Sequence, residues 1–221
     1  MEVIKLEDIS FAYPGGKIVL HGLNFSLKKG ERVGIMGPNG TGKTTFLQII
    51  VGLLKPQAGR VVIMGKERQA ETDFYEVRSK IGLMFQDPDD QLFCPTVAEE
   101  IAFGPLNLGI PRQEVAKIVS RTLGLVGLAG FEDRVTYKLS GGEKRLVALA
   151  SLLAMQPEVL LLDEPTGDLD PQNIKRFVSI LSRLSLSYLI VSHDKQFLQQ
   201  VTQKQFWFED GRFLPLDTFH P

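Results

Sequence analysis

Polar and apolar positions alternate over residues 2–7 and again over about 23–28, the period-two pattern of half-buried strands. Glu31–Met36 reads as a further strand, and Val61–Met64 as a short one entered by Gly59 and left at Gly65. Val159–Leu162 and Tyr188–Val191 are different. They are apolar without a break, as expected of strands covered on both faces. Between these runs the spacing becomes helical. Phe46, Leu47, Ile49, Ile50, Leu53 and Leu54 recur at helix-compatible intervals, and Arg112–Leu125 gathers Val115, Ile118, Val119 and Leu123 on one face. Ser140 and Glu143 form an S-x-x-E capping box, which predicts a helix that opens there and stops before Pro157. Strands alternating with helices predict an α/β core around a largely parallel sheet.

The loop between the Glu31–Met36 strand and the helix starting near Lys43 reads GPNGTGKTT, residues 37–45. It fits G-x-x-x-x-G-K-[ST], with Gly37, Gly42, Lys43 and Thr44 in the fixed places. Glycines allow successive backbone N–H groups to point into one concavity, and the following helix adds its positive end. The predicted occupant is a nucleotide polyphosphate. Lys43 reaches the β- and γ-phosphates, and the Thr44 hydroxyl holds Mg²⁺. Asn39, Gly40, Thr41 and Thr45 belong to the same cradle.

Two further stretches carry chemistry. VLLLDEP, residues 159–165, sets two carboxylates directly after a buried strand. Asp163 is placed for Mg²⁺, and Glu164 for taking a proton from an attacking water. Taken alone, the pair could equally be two solvated acids at a strand end. In the second stretch, Gly141 and Gly142 follow Ser140 at the first two helical positions, where they cost helix propensity. Their expected use is close backbone approach to another anion. The chain then has two helix ends suited to phosphate and only one complete phosphate loop. That predicts a dimer in which the second end serves the partner's nucleotide.

Composition narrows the class. The 221 residues suit one folded unit able to bury roughly 70–75% of its unfolded surface. Apolar content of 43% and charged content of 23% are ordinary for a globular protein. A net charge of −1 gives no reason to expect nucleic acid. A single cysteine, Cys94, excludes an internal disulfide and suits a reducing compartment. The opening MEVIKLEDIS is too charged for a signal peptide, and no 18-residue apolar run is present.

With these motifs in order, the chain resembles an ABC-type ATPase subunit over nearly its whole length. LSGGE, residues 139–143, matches a family signature that usually reads LSGGQ, and Glu143 is a mild departure. The resemblance implies a P-loop NTPase core with a mainly parallel sheet, an antiparallel β subdomain and a helical signature subdomain. It implies one domain over 1–221, with the helical part inserted at about 87–155. Site roles also follow from it. Tyr13 in FAYPGG would stack on adenine, and Gln86 in GLMFQDP would sense Mg²⁺ and the attacking water. Asp170 would lie in a loop crossing the dimer interface, with Asp168 standing where a small residue is common. His193 would contact the γ-phosphate. Catalysis would fall to Glu164, His193, Gln86 and Lys43, and the metal to Thr44, Gln86 and Asp163. ATP, with Mg²⁺, would also meet the Ser140–Gly142 backbone of a second subunit.

Residues 85–109 narrow the resemblance to the energy-coupling-factor ATPases, which drive cobalt, nickel or vitamin uptake. The end of the chain at 221, soon after FEDGR (208–212, read as a strand), leans toward the cobalt/nickel type, whereas KRLVALAS (144–151) departs from the commoner KRRVAIAG. The expected partners are a second ATPase subunit, identical or sibling, and an integral membrane subunit, at the cytoplasmic face of the membrane. Gln91, Leu92 and Phe93 are expected to line a groove for that subunit, with Asp87, Asp89 and Asp90 facing its basic residues. The competing class is a non-transport relative that clamps DNA or acts on ribosomes. Lys43 and Ser140 stand 97 residues apart with no heptads between them, and the chain holds one cassette, which disfavours it. A regulatory module without turnover is disfavoured by Glu164 and His193.

Overall fold

Among the described residues, ten strands build two sheets. The computed structural model describes residues 1–16, 18–167 and 169–215, so Asp168 lies outside the described residues. The strands are β1 (Glu2–Ala12), β2 (Ile18–Lys28), β3 (Arg32–Met36), β4 (Ala58–Ile63), β5 (Lys66–Arg68), β6 (Ile81–Met84), β7 (Val159–Asp163), β8 (Ser187–Val191), β9 (Lys204–Glu209) and β10 (Arg212–Pro215). One sheet has the order β2-β1-β4-β5 and is antiparallel. The other has the order β10-β9-β3-β8-β7-β6, parallel from β9 to β6 with β10 returning antiparallel. The described α-helices are α1 (Lys43–Ile50), α2 (Asp73–Lys80), α3 (Val97–Asn107), α4 (Arg112–Val126), α5 (Gly141–Ala154), α6 (Pro171–Arg183) and α7 (Lys195–Val201).

The two unbroken apolar runs are buried at every position, as their composition requires. Their side chains alternate between two cores. Leu160, Leu162, Tyr188 and Ile190 pack with helices α3–α7. Val159, Leu161, Leu189 and Val191 face the other way, toward α1, α2 and the antiparallel sheet. In the second core Phe46 makes edge-on contacts with Phe25 and Phe213, at centroid distances of 5.1 and 5.2 Å. It thereby joins α1 to strands of both sheets. Since β3, β6, β7 and β8 run parallel, the loops leaving Met36, Met84, Asp163 and Val191 meet at one sheet edge, where ligands of open α/β sheets bind.

Several boundaries differ from the sequence expectation. β1 and β2 extend well beyond residues 2–7 and 23–28 through register shifts, and Asp8 adopts φ 52° there. Asn24 stitches the irregularity by exchanging hydrogen bonds with Asp8 at 3.0 and 3.1 Å. A shift in register destroys strict alternation, so the period stops being legible. Gly59 lies within β4 rather than before it, and Met64, at φ 53°, belongs to the turn that follows. α1 ends at Ile50, and Leu53, 49% exposed, lies outside it. FEDGR is a hairpin, with Asp210 and Gly211 forming the turn between β9 and β10. Helix α3 went unread although Thr96-x-x-Glu99 caps it as a box, because Pro105 interrupts its pattern.

Phe46→Ala is expected to cost about 3–5 kcal/mol, since it empties a fully buried site between two sheets. Leu53→Ala is expected to stay within about 0.5 kcal/mol. Urea melts of the two variants check the contrast. Equal losses would return Leu53 to the helix face.

Candidate active site

The phosphate loop is folded around its own lysine. Lys43 is buried, and its Nζ donates to the carbonyls of Gly37 (2.8 Å) and Pro38 (2.6 Å). Burial lowers its pKa, and the nearby Glu164 and Asp163 charges partly offset this. Two of the three ammonium donors are used, which leaves one for an anion. Gly37 is required sterically: a Cβ there would stand 2.0 Å from the Phe208 carbonyl oxygen on β9. Gly42, which precedes α1, combines φ 104° with a Cβ position 2.5 Å from Val19, so any side chain would be both strained and blocked. The Thr41 hydroxyl donates to the Pro38 carbonyl at 2.9 Å, and Gly40 turns with φ 74°.

β7 delivers the two carboxylates to this loop. Thr44 donates its hydroxyl hydrogen to Asp163 Oδ2 at 2.6 Å. Burial raises the Asp163 pKa, against the pull of Thr44 and Lys43. Glu164 adopts φ 43°, an uncommon conformation for a side-chain-bearing residue and one often associated with functional sites. Its Oε2 accepts from the His193 backbone N–H at 3.2 Å. Its Oε1 is buried, accepts no hydrogen bond from the described residues, and lies 3.2 Å from His193 Nε2. That nitrogen also sits 2.8 Å from Asn39 Oδ1 of the phosphate loop. Burial is the main cause that raises the Glu164 pKa, and His193 opposes it.

Tyr13, Lys43, Thr44, Gln86, Asp163 and Glu164 share the wall of one cavity of about 590 Å³. Asn39, Gly40 and Thr45 line it too, and Tyr13 is fixed there by a 2.9 Å hydrogen bond to Thr45 and an edge-on contact with Phe11. The volume lies in the range of nucleotide-sized sites. The described residues contain no cluster of three or more acidic, histidine or cysteine side chains able to hold an ion unaided. A hydroxyl and a carboxylate beside a phosphate cradle instead suit Mg²⁺, which takes much of its coordination from phosphate oxygens and water.

Ser140, Gly142 and Asp170 do not line this cavity. Ser140 completes a reciprocal capping box with Glu143 (3.3 and 2.8 Å). Gly141 has nothing within 4 Å of a Cβ position, so its backbone is open to an approaching group. Gly142 has an internal reason to be glycine as well. A Cβ there would stand 2.6 Å from the Asn173 amide of the same chain, so its smallness serves internal packing. Asp170 caps α6, accepting from the Gln172 and Asn173 N–H groups and from the Asn173 side chain, so both its oxygens are engaged locally.

The expectation for the segment after Gln86 needs correction. Asp87 caps a single 3₁₀ turn, Pro88–Asp90. Asp89 faces Lys144 of α5 at 2.6 Å rather than an outside base. Gln91 points inward, accepting from the Phe85 N–H (3.2 Å) and donating to the Ala148 carbonyl (3.1 Å), and Leu92 packs on the helical core. Phe93 alone of the three is strongly exposed, at 65%, with its ring edge-on to Phe103 at 4.8 Å. Sequence reasoning also missed Arg145, buried on α5, whose Nη1 donates to the carbonyls of Gln86 (2.9 Å) and Glu164 (3.0 Å). A lone arginine entering the apolar run LVALA was the available signal.

The fold is that of a P-loop NTPase, and the family described as ABC transporter matches residues 20–167. The chain belongs to that family, as an ATP-hydrolysing subunit. It is similar to the energy-coupling factor transporter ATP-binding protein EcfA of Methanothermobacter thermautotrophicus, at 44% identity over 98% of this chain and 72% of that protein. Among solved structures it is similar to CbiO1 from Clostridium perfringens, described as part of the ABC transporter complex cbiONQ. That match has a TM-score of 0.87 and 34% identity over 99% of this chain and 90% of that one. A dimeric ATP-binding cassette in a post-hydrolysis state, bound to ADP and Pi, matches with a TM-score of 0.86 and 28% identity, covering 95% of this chain and 96% of that one.

The folded protein holds the Glu164 proton more tightly than the unfolded chain, so the ionised carboxylate destabilises the fold above its raised pKa, a penalty that fades as pH falls toward the ordinary value of 4.5. Nucleotide-free Glu164→Gln should therefore melt above wild type at pH 8, and the gain should shrink at pH 5. A gain that does not vary with pH would show that Glu164 carries no burial penalty.

Proposed function

We propose that the chain is the motor subunit of an importer of energy-coupling-factor type, driving uptake of a small nutrient such as cobalt, nickel or a vitamin. The names of its relatives support the transporter type. The observation that carries the mechanism is a division of the site. Lys43, Thr44, Asp163 and Glu164 line one cavity, with His193 against its Glu164 and Asn39, whereas the open backbone at Ser140–Gly141 does not line it. Two copies, or a copy and a sibling, arranged so that each Ser140–Gly141 end faces the other's phosphate loop complete both sites.

In this reading the loop N–H groups and the remaining Lys43 donor bind the β- and γ-phosphates of ATP, and Tyr13 offers its ring to the adenine. Mg²⁺ would be held by the Thr44 hydroxyl and Asp163, with Gln86 at the same wall, and would neutralise charge on the phosphate oxygens. Glu164 takes the proton of the attacking water, its raised pKa making it a better base than an ordinary carboxylate. His193, tied to Asn39 and facing Glu164, orients that water and meets the γ-phosphate. Loss of the γ-phosphate removes the charge that draws the two subunits together.

No described helix is long and apolar enough to cross a membrane, so transport requires an integral membrane subunit, with this chain at the cytoplasmic face. CbiO1, described as part of a complex, supports that arrangement. The exposed Phe93–Phe103 pair, one loop away from Gln86, is the contact surface we assign to that subunit.

Complementation tests the shared site. Ser140→Arg and Lys43→Ala should each leave little ATPase activity, and a mixture should regain measurable activity through heterodimers with one intact site. Full activity of either variant alone would defeat the reading. Phe93→Ala should weaken co-purification with the membrane subunit while ATP affinity stays unchanged, and an intact complex would remove Phe93 from the contact.

A further inference from the structure

Arg145 is a buried cation that the mechanism above does not use. It lies one turn into α5, the helix whose first residues present the open Ser140–Gly141 backbone. Its Nη1 donates to two carbonyl oxygens on two different strand-end loops: Gln86, after β6, and Glu164, after β7. Residues in each of these loops line the nucleotide cavity. The guanidinium therefore ties α5 to both strand-end loops.

The Glu164 backbone explains the purpose. At φ 43° it persists only where its surroundings over-determine it. Three hydrogen bonds do so. The Glu164 N–H donates to the Val191 carbonyl at 2.9 Å, the Gly167 N–H donates to the Glu164 carbonyl at 3.1 Å, and Arg145 donates to that same carbonyl at 3.0 Å. Two of the three are backbone bonds, one to the end of β8 and one within the loop that holds Glu164. Arg145 supplies the third and is the side chain among them. The Glu164 backbone sets the direction in which its side chain leaves the chain, toward His193.

We propose that Arg145 is a positioning residue for hydrolysis: its guanidinium locks the backbones of Glu164 and Gln86 to α5 and so aims the Glu164 carboxylate. This rests on reading Glu164 as the base. Gly167 is part of the same device. A Cβ at Gly167 would stand 3.3 Å from Arg145 Nη2, so glycine there leaves the guanidinium its place.

The test uses the full chain and separates kcat from nucleotide affinity. Misplacement of a reacting group by about 1 Å costs on the order of 100-fold, so Arg145→Met should lower kcat about 10- to 100-fold. The Mg·ATP Kd, read with a fluorescent nucleotide analogue, should stay within about threefold of wild type. Arg145→Lys, which keeps the charge but loses the fork, should recover part of kcat. Gly167→Ala retains the cation and displaces it by a few tenths of an ångström, and should lower kcat by a smaller factor at unchanged Kd. In a Glu164→Gln background, Arg145→Met should cost little more, because both changes act on one group.

Wild-type kcat in Arg145→Met and Gly167→Ala would overturn the proposal. A Kd that rises as much as kcat/KM falls would do the same, because it would reveal a general loss of structure. A full multiplicative loss in the Glu164→Gln background would also overturn it. Should Arg145→Met show no cooperative melt, Gly167→Ala decides alone. The underlying reading fails separately: if Glu164→Gln hydrolyses ATP at the wild-type rate, Glu164 is not the base, whatever Arg145 does. If Glu164→Gln is inactive and the Arg145 and Gly167 variants are normal, only the positioning role is lost.

Discussion

A buried ammonium organises this protein. Lys43 is held away from water by the carbonyls of Gly37 and Pro38, the loop that its own helix follows. The arrangement forces the loop to wrap inward, and that in turn requires Gly37 to pass against the Phe208 carbonyl. Burial works against every charge nearby. It lowers the Lys43 pKa and raises those of Asp163 and Glu164; the attraction of Lys43 for the two carboxylates recovers only part of the cost, and Asp163 adds repulsion at Glu164. A nucleotide polyphosphate, with the Mg²⁺ proposed above, would complete such a set. The site is thus poorly compensated electrostatically by the protein itself, which is the condition for strong differential binding.

The sheet makes this possible without loosening the core. β7 and β8 send alternate side chains into two separate apolar cores, so the strands are clamped from both sides. Their C-terminal ends carry the polar groups of the site. Asp163, Glu164 and His193 stand within a residue or two of those ends, and rigid strands beneath them hold geometry better than loops would.

Helix α5 links this edge to the rest of the molecule. Lys144 meets Asp89, Arg145 meets the Gln86 carbonyl, and the Ala148 carbonyl accepts from Gln91. These contacts follow one another along α5 and fasten the 86–91 segment to it. The open end of that same helix, at Ser140–Gly141, is where a second subunit is proposed to bring its nucleotide. A helix rigid over four turns carries displacement from one end to the other, because packed interiors do not deform continuously.

Much of this was legible in the sequence. The phosphate loop, the DE pair after a fully apolar strand and the capping box at Ser140 are local patterns. Their physics (glycine freedom, strand burial, N-terminal capping) is decided by neighbours within a few residues, so spacing alone identifies them. The outcome is different where a residue's partner is distant in sequence. Gln91 looked outward until α5 supplied the Ala148 carbonyl, and Asp89 looked available until Lys144 met it. At Gly142, Asn173 of α6 adds a packing reason for glycine that local sequence does not show. Strand lengths in β1 and β2 failed for a related reason, since bulges are set by the partner strand and erase the period of two. Arg145 shows the limit most sharply. Its side chain type announces a charge in an apolar helix, but the two carbonyls it holds lie 59 and 19 residues away and are brought together only by the order of the strands. Local sequence determined what each element is and what chemistry it carries; tertiary packing decided which groups were left free to use it.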